Sequence, residues 1–309
     1  MRTGVTVIIP PVDLTQSKLV AGGHAFNANG EMTGLQYILE EARLLSPVFL
    51  TNTFSLGDVY SAVVDYYQGL VPLPVVGECW DGYLNDIEGR RVTADHVFRA
   101  IKTASGGPVG QGNIGAGTGM TAFGFKAGIG TSSRITEIAG LKYTVGVLVN
   151  NNLGIDKGRH RYLRIGRLGP DVLYRNTGAT ETEPPYLDTQ RSSAIIVIAT
   201  DAPLAAQQLN RLARRSVLGM GRIGAVSYVD SGEFTLAFST ANQVPLRRTT
   251  GSWKMSILNE GEVDGLFEST IEAVEEAFIN SLLYAEDMTG HQGHTMKALP
   301  MDKILKSLR

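Results

Sequence analysis

Through the first half of the chain, short β-branched runs alternate with stretches whose apolar residues recur every three or four positions. Residues 5–10 and 48–51 carry the extended pattern, while Leu35, Ile38, Leu39 and Ala42, and then Val59, Val63 and Tyr66, mark the apolar faces of two helices. The alternation predicts an α/β arrangement. Residues 74–77 lead into a polar cluster, Glu78, Trp80, Asp81 and Asn85, at the end of an element. Residues 106–130 are so rich in glycine that neither helix nor long strand is favoured, and tightly packed, ordered loops are expected there. Residues 143–149 suit a buried strand ended by Asn150, Asn151, Asn152 and Gly154, and asparagines in that position can point into a site.

The rhythm breaks over residues 156–191, which are rich in Arg and Gly and then carry Thr180, Glu181, Thr182, Glu183, Pro184 and Pro185 with almost no apolar periodicity. This segment reads as a linker. Directly behind it lies a fully apolar strand, residues 195–198, followed by Thr200, Asp201 and Pro203 as a start signal for a helix over residues 204–218. Residues 234–239 form a further strand after the turn Asp230, Ser231 and Gly232. Leu266, Ile271, Val274, Phe278 and Leu282 define the clearest amphipathic helix, with Glu272, Glu275 and Glu276 expected in solvent. A short helix is expected near residues 299–305. Ser193 thus stands where the linker-like segment meets a core strand.

Composition narrows the function. The chain has 309 residues, 43% hydrophobic and 19% charged, enough for one large packed domain. A net charge of −2 with Lys and Arg scattered along the chain leaves no footprint for nucleic acid or an anionic membrane. No apolar run reaches spanning length, so a soluble protein is expected. One cysteine, Cys79, excludes an internal disulfide framework and a cysteine-based zinc site, fits the reducing cytoplasm, and reads as a buried filler. Residues 110–115 match GxGxxG, but no strand precedes them and Gly117 and Gly119 spoil a helix start, so no dinucleotide cofactor is expected. His291 and His294 lie in a Gly-rich turn without a partnered carboxylate or cysteine pattern, which argues for a solvated or structural role and no metal.

His24, His96 and His160 are isolated in sequence, so a histidine general base cannot be located. A serine nucleophile still needs a base, and cleavage just before the serine frees an α-amino group with a pKa of about 7.7–8.0 to serve as one. Ser193 suits this chemistry, with a proline-containing segment before it, a rigid strand after it and the small Ser192 as its neighbour. A serine pair at a strand start is also an ordinary structural feature, and the residues alone leave both readings standing.

The segments GVTVIIP (residues 4–10), GEMTG (30–34), LTNT (50–53), GECWDGYLND (77–86), the glycine-rich run 112–134, SAIIVIATDAPL (193–204) and FSTAN (238–242), with 272–280 and 298–300, add a pattern along nearly the whole chain. In them the sequence resembles the DmpA-like self-processing aminopeptidases, peptidase family S58, which includes L-aminopeptidase/D-esterases and β-peptidyl aminopeptidases. The resemblance implies a four-layer αββα sandwich like that of N-terminal-nucleophile hydrolases but differently connected. It implies one domain over 1–309, cut between Ser192 and Ser193 into 1–192 and 193–309, and a homotetramer of the processed heterodimer. It also implies an enzyme without a cofactor that releases N-terminal residues from small peptides, amides or esters.

Carried over by motif, Ser193 matches the nucleophile, and Ser231 and Glu233 match residues that hydrogen-bond around it and help move its proton. Asn152 matches the side chain that stabilises the oxyanion, and Glu78 the carboxylate that receives the substrate's free ammonium. Trp80 matches an aromatic position at the substrate that some members fill with tyrosine. Ser192 stands where members usually have Gly or Asn, and members generally carry an additional segment before the GVTVIIP strand. Two other readings remain at this point: an acyltransferase of similar fold, in which an amine accepts the acyl group, and an unprocessed member that binds without catalysis.

Overall fold

The computed structural model describes residues 1–154, 162–166, 168, 192–246 and 251–307. Its elements run β1 (Thr6–Ile8), β2 (Ser17–Ala28), α1 (Leu35–Glu41), β3 (Arg43–Leu44), β4 (Val48–Asn52), α2 (Leu56–Tyr66), β5 (Val75–Cys79) and α3 (Ala94–Thr103). There follow β6 (Thr121–Ala122), β7 (Phe125–Lys126), β8 (Ile129–Ile138), β9 (Leu141–Asn152), β10 (Ser193–Thr200), α4 (Ala206–Arg222), β11 (Gly232–Pro245), α5 (Asp264–Leu283) and α6 (Met301–Ser307). Two sheets organise them. The larger has six strands in the order β3-β2-β11-β10-β9-β8, and the smaller has three in the order β1-β4-β5.

Side-chain alternation explains the apolar runs at the centre of both sheets, in β10 and the start of β4. On β10, Ala194, Ile196 and Ile198 pack beneath α4 and α5 with Leu209, Leu212, Val274 and Phe278, while Ile195 and Val197 face the smaller sheet. On β4, Val48 and Leu50 return that contact, and Phe49 turns outward to Val59, Val63 and Val97 of α2 and α3. These stretches of β10 and β4 are therefore buried on both faces, which demands a continuous hydrophobic run. The layers follow as α4/α5, large sheet, small sheet and α2/α3. This is the αββα sandwich implied by the resemblance.

The strand predicted over 143–149 extends through the asparagines to Asn152, because Asn150, Asn151 and Asn152 pair with Ile195, Ala194 and Ser193 of β10. Tertiary pairing overrides the poor strand preference of asparagine. The helix predicted from residue 204 begins at Ala206, because Asp201 and Thr200 serve β9 instead: Thr144 N–H donates to Asp201 Oδ1 at 2.7 Å, and Thr200 Oγ1 donates to Thr144 O at 2.7 Å. Gln208 takes the capping role, accepting from Ala205 N–H at 2.9 Å. The acidic face of α5 is partly engaged, with Arg134 reaching Glu272 at 3.0 Å and Glu276 at 2.5 Å. These pairs are half exposed and add little stability.

Strands β2 and β8 carry no clear period in the sequence. Within β2, Gly22 and Gly23 interrupt the apolar pattern, and packing requires the first of them. A Cβ on Gly22 would lie 2.4 Å from Asn210 Oδ1, the atom that accepts the Gly23 N–H at 2.9 Å and ties α4 to the sheet. The predicted linker, residues 156–191, lies almost entirely outside the described residues. Among the described residues no helix is long and apolar enough to cross a membrane.

Candidate active site

Ser193 opens β10, and its register partners are Asn152, the last residue of β9, and Gly232, the first of β11. The end of β5 approaches the same point. Two N–H donors converge on the Ser193 hydroxyl oxygen: the Trp80 backbone N–H at 3.3 Å and Asn152 Nδ2 at 3.2 Å. Both Ser193 and Asn152 are buried, at 6% and 2% exposure, so these donors act with little competition from water. Asn152 is held at both ends. Its Oδ1 accepts the Thr121 N–H at 3.1 Å, and its Nδ2 also donates to Trp80 O at 2.7 Å. The fixed acceptor role of Oδ1 toward a backbone N–H leaves only one orientation for the amide, with the NH₂ toward Ser193. An oxygen that develops negative charge here would meet two preset donors.

The carbonyl of Ser192 accepts the Gly232 N–H at 2.9 Å. Ser231 and Glu233 flank Gly232, and the single Ser231 hydroxyl proton has two acceptors within reach, Glu233 Oε2 at 3.0 Å and Tyr228 O at 2.7 Å. Asn27 Nδ2 donates to the Ser231 hydroxyl at 3.1 Å. Pairing of Glu233 with Ala194 sets this carboxylate on the side of the sheet where Ala194 projects, whereas the register partner of Ser193 is Gly232. The Gly232 N–H thus contacts the peptide that links Ser192 to Ser193, and Ser231 and Glu233 are the residues on either side of it.

Glu78 is buried on β5, one residue before Cys79. Its Oε1 accepts the Glu31 N–H at 3.0 Å, and its Oε2 accepts the Thr53 hydroxyl. The chain at Gly30 passes so close that a Cβ there would lie 2.8 Å from Oε1. Trp80 packs beside Tyr83, Leu84 and Met296. Cys79 is fully buried, its thiol donating to Asn150 O at 3.6 Å, and burial together with the nearby Glu78 carboxylate pushes its pKa well up. A thiol so far from ionising does not compete with Ser193 as nucleophile.

Two buried ionisable groups lie near the site, Asp81 of the polar cluster noted in the sequence and Lys126, which the sequence does not single out. Lys126 is wholly buried, and its ammonium donates to the carbonyls of Gly117 at 3.2 Å, Met120 at 2.9 Å and Ala127. Burial lowers its pKa to about 7, against the pull of Asp81. Asp81, in the polar cluster after β5, accepts from Asn85 Nδ2 at 3.1 Å, and burial raises its pKa to about 7. A lone lysine amid glycines reads as a surface residue in sequence, and only the packing of the glycine-rich loop encloses it.

Two of the histidines take structural contacts, and His160 lies outside the described residues. His96 caps α3 through Thr93, with its Nδ1 accepting the Thr93 N–H at 3.1 Å, and His294 stacks on Tyr83 with ring centroids 4.7 Å apart. Among the described residues no group of three or more His, Cys, Asp or Glu side chains is placed to hold a metal ion. The GxGxxG run packs as loop against the end of α5, where a Cβ on Gly112 would lie 2.1 Å from Tyr284 O.

Comparison with known proteins agrees with this architecture. The β-peptidyl aminopeptidase BapA of Sphingosinicella xenopeptidilytica is 40% identical, covering all of this chain and 79% of its own length. The crystal structure of the PH0078 protein from Pyrococcus horikoshii OT3 superposes with a TM-score of 0.90 at 40% identity, covering all of this chain and 86% of that one. The L-aminopeptidase D-Ala-esterase/amidase of Ochrobactrum anthropi, described as a prototype for the serine aminopeptidases and a new variant among the Ntn hydrolase fold, superposes with a TM-score of 0.82 at 33% identity, covering all of this chain and 92% of that one. The family model of peptidase family S58 matches residues 1–296, and with whole-chain relatives at this identity the chain belongs to peptidase family S58.

Proposed function

We propose that this chain is a self-processing N-terminal serine hydrolase that releases N-terminal residues from small peptides, amides or esters. The observation that carries the reading is the convergence of the Trp80 N–H and Asn152 Nδ2 on the Ser193 hydroxyl at the start of a core strand. In processing, Ser193 Oγ attacks the carbonyl carbon of Ser192, which the Gly232 N–H already polarises. The C–N bond breaks as the nitrogen takes up the hydroxyl proton, and an ester joins the two parts. Water then hydrolyses that ester, leaving fragments 1–192 and 193–309 and a free α-amine on Ser193.

In turnover the same hydroxyl attacks the carbonyl of the substrate's first residue and gives its proton to the α-amine, with Ser231 and Glu233 arranging the transfer. The oxyanion is met by Asn152 and Trp80 N–H. The proton passes to the leaving amine, and water releases the acyl group. Glu78 pairs with the substrate's ammonium and so separates a free N-terminus from an internal bond, with Trp80 alongside. The β-peptidyl activity named for the relatives makes β-amino substrates part of the reading. It also includes a tetramer of processed heterodimers and a location in the reducing cytoplasm; the free Cys79 is in keeping with the compartment only.

Intact-mass measurement of purified protein should give two fragments divided before Ser193, and the Ser193→Ala protein should stay whole and fail to hydrolyse aminoacyl p-nitroanilides. Full-length wild-type protein with undiminished hydrolysis overturns the proposal.

A further inference from the structure

The oxyanion donor Asn152 is not held by its own strand alone. Its Oδ1 is gripped by the Thr121 N–H, and Thr121 lies on the tight hairpin formed by β6 and β7, where its register partner is Lys126. The peptide unit joining Met120 to Thr121 carries that N–H at one end and, at the other, the Met120 carbonyl, which accepts from Lys126 Nζ at 2.9 Å and from Ala127 N–H at 3.1 Å. A chain of hydrogen bonds therefore runs from the Lys126 ammonium through this peptide to the Asn152 amide and on to Ser193 Oγ. All of it is buried.

Direction matters in such a chain. A cation at a carbonyl oxygen draws electron density along the peptide and makes its N–H a better donor. The acceptor amide then becomes a better donor at its own NH₂, since hydrogen bonds in a low-dielectric interior polarise one another. The far end of this chain is the Ser193 hydroxyl oxygen, beside which the proposed function places the substrate's oxyanion. Lys126 bonds only backbone carbonyls among the partners found for its ammonium, and the carboxylate that acts on it electrostatically is Asp81. Asp81 in turn packs against Gly119 of the loop that Lys126 holds, and it directly follows Trp80, the other donor to Ser193.

We propose that Lys126 is a positioning residue of the active site, whose ammonium orients and polarises Asn152 through the Met120–Thr121 peptide and so strengthens the donor offered to the oxyanion. The proposal rests on the assignment of Asn152 to the oxyanion under the proposed function. A purely structural lysine would tether the glycine-rich loop, and its loss would affect stability without selecting the catalytic step.

A double-mutant cycle on the fully processed enzyme separates these cases. Lys126→Met and Lys126→Gln should each lower kcat about tenfold with KM nearly unchanged, and in the Asn152→Ala background the same changes should have almost no further effect on kcat. Wild-type kcat in the lysine variants, or losses that multiply with that of Asn152→Ala, overturns the proposal. If Asn152→Ala itself keeps full kcat, the oxyanion assignment fails instead.

Should neither lysine variant yield folded protein, the wild type supplies the measurement. With ¹⁵N-lysine labelling, the Lys126 titration midpoint should rise when a peptide boronate forms its anionic adduct on Ser193, by the reciprocity of coupled binding. An unchanged midpoint overturns the proposal.

Discussion

Replacing Glu78 by glutamine isolates one charge with little disturbance around it. In the native site Oε1 accepts the Glu31 N–H at 3.0 Å and Oε2 accepts the Thr53 hydroxyl. A glutamine oxygen keeps the first contact, and its NH₂ can donate to Thr53 Oγ1 once that hydroxyl rotates. Both contacts survive, shape is conserved, and stability should change little. What disappears is the charge presented to a substrate ammonium.

A charge-assisted hydrogen bond in a desolvated site contributes about 1.5–3 kcal/mol, against roughly 0.5–1.5 for a neutral one. The difference of about 1–2 kcal/mol corresponds to roughly a 5- to 30-fold loss in kcat/KM for a free-amine substrate. An N-acetyl substrate has no ammonium to lose and should be hydrolysed no worse. The assay is kcat/KM for matched free and N-acetylated aminoacyl p-nitroanilides below the pKa of the substrate amine, on wild type and Glu78→Gln. Equal loss on both substrates, or none on either, refutes the ammonium role.

Asn152→Ala removes one oxyanion donor and should lower kcat by about 10²–10³; it also strands the Thr121 N–H, so the urea midpoint should fall in parallel. Gly22→Ala drives a methyl to within 2.4 Å of Asn210 Oδ1 and 2.7 Å of the Asn210 backbone nitrogen, and thermal melting should show a loss of about 1–3 kcal/mol. Asp81 keeps its proton in the folded protein up to about pH 7, against 3.8 in its unperturbed state. Between those values the folded state binds more protons, so this group's contribution to stability falls as pH rises. Urea unfolding at pH 5 and pH 7 should show that decline in wild type and its loss in Asp81→Asn, with the same decline in both proteins as the opposing result.

The strand after Ser193 and the long helix over α5 were legible in the sequence because their cause is local. A short run of Ala, Ile and Val bounded by polar residues suits a central strand dry on both faces, and apolar spacing of three and four residues suits a helix packed on one face. The same locality singled out Ser193, at the boundary between a segment without periodicity and that strand. Resemblance in the quoted motifs then put names to Glu78, Asn152, Ser231 and Glu233, which lie far from Ser193 in the chain. Their geometry follows from sheet register, which no local pattern encodes.

Tertiary structure alone decided three features. Asn150, Asn151 and Asn152 continue β9, contrary to their own preference, because β10 pairs with them. Asp201 serves β9 in place of the helix it precedes, because Thr144 lies across the ladder from it. Lys126 is buried because the glycine-rich loop folds its carbonyls inward around the ammonium, an arrangement set by contacts among residues 112–130, β9 and the loop after β5. Sequence by itself determines which segments must be dry and where the chain changes character. Which polar groups meet in the dry interior depends on how distant segments pair, and the site is made of those meetings.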